Sequence, residues 1–144
     1  MNLADLFKNY ADDFELTFVD DNWSRLEQYF TENAIYETEG ALASVHTGRD
    51  QVFTALRENI SRFDRRCDSR NLETIEGPQI EGDTLTRRWR CTFTLRGAPD
   101  LSIVGDERAH YERDRICRLE EMLTEDSQIT LGEWIGKYQS KLAG

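Results

Sequence analysis

The stretch that decides the fold is residues 101–123, Leu-Ser-Ile-Val-Gly-Asp-Glu-Arg-Ala-His-Tyr-Glu-Arg-Asp-Arg-Ile-Cys-Arg-Leu-Glu-Glu-Met-Leu. Leu101, Ile103, Glu107, Ala109 and Tyr111 share one parity, and Ser102, Asp106, Arg108, His110 and Glu112 share the other. That is the period of a strand with one dry and one wet face. Arg113-Asp114 interrupts the pattern as a turn, and Ile116 to Leu123 resumes it with Cys117, Leu119, Glu121 and Leu123 on the apolar parity. So short a link implies an antiparallel hairpin.

Two glutamates therefore sit on an otherwise apolar face. If residues 113–115 form a three-residue turn, Tyr111 opposes Cys117, Ala109 opposes Leu119 and Glu107 opposes Glu121. Desolvation and mutual repulsion would then raise the pair's affinity for a proton, making one a candidate general acid or base near neutral pH. A two-residue turn or a bulge reverses the register instead. Both acids would then face water or an arginine such as Arg87.

Working outward, Leu72 to Glu76 and Thr84 to Arg96 continue the strand pattern, with Trp89, Cys91, Phe93 and Leu95 facing inward. Gly77-Pro78, Gly82-Asp83 and residues 97–100 read as turns. The N-terminal half changes period. Leu3, Leu6, Phe7, Tyr10, Phe14 and Phe18 recur at three- and four-residue steps on a long first helix. Trp23, Leu26 and Phe30 make a second, short helical stripe, Ala34 to Thr38 a short strand, and Asp50 to Arg66 a third helix carrying Phe53, Leu56, Ile60 and Phe63 inward. A last amphipathic helix from about Ser127 offers Leu131, Trp134, Ile135 and Tyr138. This order predicts an α+β layer: helices closing one face of a curved, largely antiparallel sheet.

Composition bounds the function. At 144 residues, without repeats or a Pro/Gly/Ser linker, residues 1–144 are expected to form a single domain. A net charge of -10 argues against nucleic acid, which is gripped by clustered Lys and Arg. The basic cluster Arg62, Arg65, Arg66 and Arg70 reads as a complement to a helix C-terminus. No stretch approaches the roughly 18 apolar residues of a membrane span, and Asp5 and Lys8 do not suit a signal peptide, so a cytoplasmic location is expected. Cys67, Cys91 and Cys117 lack metal or redox spacing and read as reduced thiols. The two histidines, His46 and His110, give no metal motif. His46 falls in a loop before Gly48, at the expected pocket rim, and His110 on the wet face.

Three passages carry a family resemblance: Tyr29-Phe30-Thr31-Glu32-Asn33-Ala34-Ile35-Tyr36-Glu37, then Gly48-Arg49-Asp50 opening the third helix, and Glu107 to Ile116 across the last hairpin. With this order of elements the chain resembles the nuclear transport factor 2-like superfamily, and within it the SnoaL-like and ketosteroid isomerase-like branch. The resemblance implies a cone-shaped fold with a pocket between three N-terminal helices, a C-terminal helix and the sheet, often dimeric through the outer sheet face. It does not imply one reaction. At the places of the isomerase's first-helix tyrosine, aspartate base and protonated aspartate stand Phe14, Thr38 and Ala109, which cannot do that proton work. Arg88-Trp89-Arg90 likewise lacks the acid of the related epoxide hydrolases.

The resulting expectation is a pocket for a small apolar or aromatic molecule. Phe14, Phe18, Tyr36 and Thr38 would line it from the first helix and strand, and Phe53 and Leu56 from the third helix. Trp89, Phe93, Ala109, Tyr111 and Trp134 would contribute from the meander and last helix. Glu121 and Glu107 are the candidate catalytic groups, with Tyr36, Thr38 or Tyr111 orienting the substrate. No metal and no cofactor is expected, no membrane or nucleic acid partner, and a homodimer is. The alternative is a binding or dimerisation module whose aromatic residues fill the space.

Overall fold

The computed structural model describes residues 1–40 and 43–143. Helix α1 (Leu3–Asp20) starts where the Asn2 side chain accepts the Asp5 N–H at 2.9 Å, and ends at Asp21 in the left-handed region. The stripe after it winds as a 3-10 helix, Trp23–Tyr29, and not as an α-helix. Three residues per turn align Trp23, Leu26 and Tyr29 on one side, and fully buried Phe30 already belongs to strand β1 (Phe30–Thr38).

β1 turns back into β2 (Ser44–Thr47), a four-residue strand too short to show an alternation, and α2 (Arg49–Arg62) follows. The meander comprises β3 (Ser69–Glu81), β4 (Thr84–Thr94), β5 (Leu101–Glu112) and β6 (Arg115–Leu123), and α3 (Glu125–Tyr138) closes the chain. The strands lie in the order β2-β1-β6-β5-β4-β3. β1 runs parallel to β6, and all other neighbours are antiparallel.

Two expectations about turns are corrected. Gly77-Pro78 is no turn: it lies inside β3, whose register shifts between Thr74 and Gln79, and edge strands tolerate proline there. The last hairpin uses a two-residue turn, so Tyr111 pairs with Ile116 and not with Cys117. A bulge then absorbs Cys117, whose thiol points at the His110 carbonyl at 3.3 Å. Turn and bulge cancel: Ala109 opposes Leu119 and Glu107 opposes Glu121.

The inner sheet face is buried against α1 and α2 at one end, where Tyr10, Phe30, Tyr36, Leu85 and Leu119 pack together. At the other end Cys91, Phe93, Leu101 and Ile103 pack beneath Trp134 of α3 and Phe63. The Trp134 indole donates to the Pro99 carbonyl at 2.9 Å. The outer face is a layer of paired charges, including Arg88 with Asp106 and Arg118 with Glu37, both at 2.8 Å. His110 belongs to it, between Thr84 and Glu120. No helix among the described residues is long and apolar enough to cross a membrane.

Trp89 and Gly105 face each other across β4 and β5. A Cβ built on Gly105 would lie 2.4 Å from Cζ2 of the indole, so the glycine is what lets the ring lie flat on the sheet. Gly105→Ala should destabilise the fold by about 1–3 kcal/mol in denaturant unfolding. In the double variant with Trp89→Ala most of that added cost should disappear. Equal costs in the two backgrounds would show that the indole does not set the constraint.

Candidate functional site

A cavity of about 180 Å³ lies between the inner face and the two N-terminal helices. Its apolar wall includes Phe14 of α1, Leu56 and Ile60 of α2, and Trp89 and Phe93 of β4. One end is polar and built by a row of side chains that crosses the sheet strand by strand.

The row starts on α2, where the Asn59 amide donates to the Tyr36 hydroxyl at 3.3 Å. Tyr36, on β1, donates to Oε2 of Glu121 at 3.0 Å. Glu121, on β6, stands directly opposite Glu107 of β5 across the ladder. From β4 the Arg87 guanidinium reaches Oε1 of Glu107 through both Nε and Nη2 at 2.8 Å, and its Nη1 donates to Thr74 of β3 at 3.0 Å. Each strand from β1 to β3 thus contributes one member.

Electrostatics follow from this geometry. Glu107 is 4% exposed, and Arg87, stacked over the Phe7 ring at 4.9 Å, is its counter-ion. Glu121 has no cation of its own in the row. Burial and the neighbouring Glu107 charge push its carboxyl well above the ordinary range; the Tyr36 hydroxyl and Arg87 oppose that shift without cancelling it. Two carboxyl groups facing each other in a dry site favour a proton on one of them, and Glu121 is the one whose affinity for it is raised. Burial, followed by the Glu121 charge, also raises the Tyr36 phenol, so that hydroxyl stays a donor.

A second polar group stands at the far end, where Arg70 pairs with Asp64 at 2.8 Å and with Glu15 at 2.5 Å. Its side chain is 7% exposed and lies over the Phe18 ring. Arg70 is therefore no surface complement to a helix end, as its basic neighbours had suggested. Burial raises the Asp64 carboxyl, against the pull of Arg70.

The structure brings Glu107, Glu121, Phe14, Tyr36, Leu56, Trp89 and Phe93 to this cavity. Others of the expected residues lie elsewhere. Phe18 sits under Arg65 and Arg70, and Phe53 packs between Trp23 and Phe30. Ala109 and Tyr111 are on the inner face but inside the core beyond the cavity, and Trp134 caps the opposite core. The Tyr111 hydroxyl is buried without a hydrogen-bond partner among the described residues. Thr38 faces β2, with its hydroxyl 2.8 Å from that of Ser44. His46 lies on β2 and not in a loop, stacked on Tyr36 with ring centres 6.2 Å apart.

Asn59 and Arg70 are members that the sequence reading did not place here, and it held Arg87 only as a counter-ion for a reversed register. Arg87 continues the inward parity of Trp89, Cys91 and Phe93, and Asn59 lies three residues after Leu56 on the inward helix face.

Fold and site together describe an α+β cone with an acidic, aromatic-walled chamber. Residues 7–134 match the SnoaL-like domain, and the chain belongs to that family. Bal32a, from a soil-derived mobile gene cassette, superposes with a TM-score of 0.66 at 18% identity, over 92% of this chain and 98% of its own. A protein of ketosteroid isomerase-like fold from Catenulispora acidiphila, solved with trimethylamine, gives 0.60 at 16% identity, over 82% and 87%. TerC, co-crystallised with polyporic acid, gives 0.62 at 10% identity, over 84% and 91%. No curated protein matches the chain.

The raised Glu121 carboxyl makes stability depend on pH. Between the ordinary glutamate range and the raised value, the unfolded chain has released a proton that the folded chain keeps. Stability therefore falls as pH rises through that window, by at most about 1.4 kcal/mol per pH unit. Glu121→Gln keeps a donor for Glu107 and an acceptor for Tyr36 without the proton. Its thermal unfolding should be flatter with pH across the window and its midpoint higher than wild type at alkaline pH. Parallel pH profiles for the two proteins would contradict the raised proton affinity of Glu121.

Proposed function

We propose that this protein is a proton-transfer catalyst for a small ring-bearing carbonyl compound, working with side-chain carboxylates alone. The carrying observation is the Glu107–Glu121 pair, opposed across two strands on the cavity wall with one arginine for two acids. Glu107, paired with Arg87, is the base: it removes a proton from the carbon next to the carbonyl. The C–H electron pair moves into the carbonyl, and the oxygen takes a hydrogen bond or the proton from Glu121. Return of the proton to carbon restores both acids. A carboxylic acid kept neutral by its surroundings can donate in this way at neutral pH, and so can the Tyr36 phenol.

The cavity limits the substrate. Its volume slightly exceeds the roughly 150 Å³ that encloses a benzene molecule, so one ring fits, stacked among Phe14, Trp89 and Phe93. The Catenulispora protein solved with trimethylamine and TerC co-crystallised with polyporic acid support a small-molecule ligand here. A second reading, a binding protein without turnover, is favoured by one feature: every member of the row already has a partner inside the row, so a ligand must compete for it. For assembly we propose a homodimer through the outer sheet face, whose paired charges suit a wet interface.

Proton NMR in deuterium oxide tests the catalytic reading with cyclohexanone and acetophenone as probes. The wild-type protein should speed loss of the α-proton signals, and Glu107→Gln should slow that by about 100-fold or more. Activity should fall as rising pH takes the proton from Glu121, at a pH above the ordinary glutamate range. Exchange that proceeds equally in Glu107→Gln, or no acceleration by the wild type, would reject Glu107 as the base.

A further inference from the structure

We propose that the ligand is elongated and occupies two joined chambers, its ring in the inner cavity and an uncharged apolar tail in a groove between α1 and β3, passing Ala11. This rests on the inner cavity being the ligand site and adds the substrate class. The groove has a volume of about 440 Å³ and is walled by Ala4, Phe7 and Ala11 from α1 and by Leu72, Thr74 and Pro78 from β3. Ala4, Phe7 and Ala11 are three and four residues apart, so they form one continuous helix face.

The groove adjoins the inner cavity, and the two have walls in common. Ala11, Glu15, Leu72 and Arg87 line both spaces. Arg87 belongs to both because its guanidinium spans from Glu107 inside to Thr74 and the Phe7 ring outside. The inner cavity alone is smaller than ordinary small-molecule sites, whereas the combined volume lies within their range of roughly 300–1,000 Å³. Ala11, a single methyl group, is the smallest of the side chains that the two walls share, which is where the proposed ligand would pass.

The charges select the tail. Each cation on the groove wall already faces a carboxylate: Lys8 meets Asp12 at 2.7 Å, and Arg87 meets Glu107 at 2.8 Å. An anionic tail would find Asp5, Asp12 and Glu15 and no free cation among the described wall residues. A hydrocarbon tail meets Ala4, Phe7, Leu72 and Pro78. From Ala4 to Ala11 the helix advances about 10 Å, room for a chain of several carbons.

The test is titration calorimetry with phenol, 4-propylphenol and 4-heptylphenol on the wild-type protein and on Ala4→Trp. Ala4 lines the groove and not the inner cavity. Wild-type affinity should rise at least about tenfold from phenol to 4-heptylphenol. Ala4→Trp should abolish most of that gain and leave phenol binding within about twofold. Ala4→Leu, a smaller change for which folding is less at risk, should give a smaller loss of the same kind. If chain length brings the same gain in the wild type and both variants, the groove is not the tail site and this inference falls, while the inner site stands. If the wild type binds none of the three, phenol included, the inner-site reading falls and takes the two-chamber ligand with it.

Discussion

Two carboxyl groups facing each other on the dry side of a sheet cannot both be charged without help. Everything notable about this site follows from how that constraint is met. Arg87 meets Glu107 through two nitrogens, and Glu121, with burial and that neighbouring acid against it, has its affinity for a proton raised. Tyr36 and Asn59 extend the row on one side and Thr74 on the other, so the polar groups are satisfied by one another across the sheet. A row of this kind is costly if one member is lost, because a buried group is then left unpaired. It also places a transferable proton beside a space large enough for a ring.

The architecture serves that row. The parallel pairing of β1 with β6 brings Tyr36 to Leu119 and Thr38 to Glu121 in register, which sets the Tyr36 hydroxyl within reach of the Glu121 carboxylate. The glycine opposite Trp89 lets the indole lie against the sheet and form wall where a side chain on β5 would collide with it. At the far end, Arg70 is enclosed by Asp64, Glu15 and Phe18, tying α1 to β3 on the flank of the cavity. Apolar residues provide the burial, and a few charged ones decide where the burial stops short of filling the space.

Alternation made the inner and outer faces of β4 and β5 legible in the sequence. It distinguished Glu107 from Asp106 and Trp89 from Arg88, and the structure places those residues on the expected sides. Alternation says nothing of where along a strand the space lies. Ala109 and Tyr111 face inward like Glu107, yet they are enclosed in the core a few residues further on. Helix faces carry the same ambiguity: Phe53 and Leu56 share a stripe, but Phe53 is taken up by Trp23 and Phe30. The opposition of Glu107 and Glu121 was read with the wrong turn. A two-residue turn and a bulge at Cys117 each shift the register, and their sum restores it, a cancellation that no local pattern displays. Four residues of β2 carry too little periodicity to show a strand, and Arg87, on the inward parity of Trp89 and Cys91, enters the wall as the partner of Glu107 in the very register that opposes the two acids.

The claim on which the account depends is that Glu121 keeps a proton after ordinary glutamates have lost theirs. Carbon-13 NMR of side-chain carboxyl groups, with Glu121→Gln used to assign its resonance, reads this directly as a titration. The account predicts a Glu121 signal still in the protonated position when the exposed glutamates have all ionised, moving only at clearly higher pH. A Glu121 signal that titrates together with the exposed glutamates would contradict it.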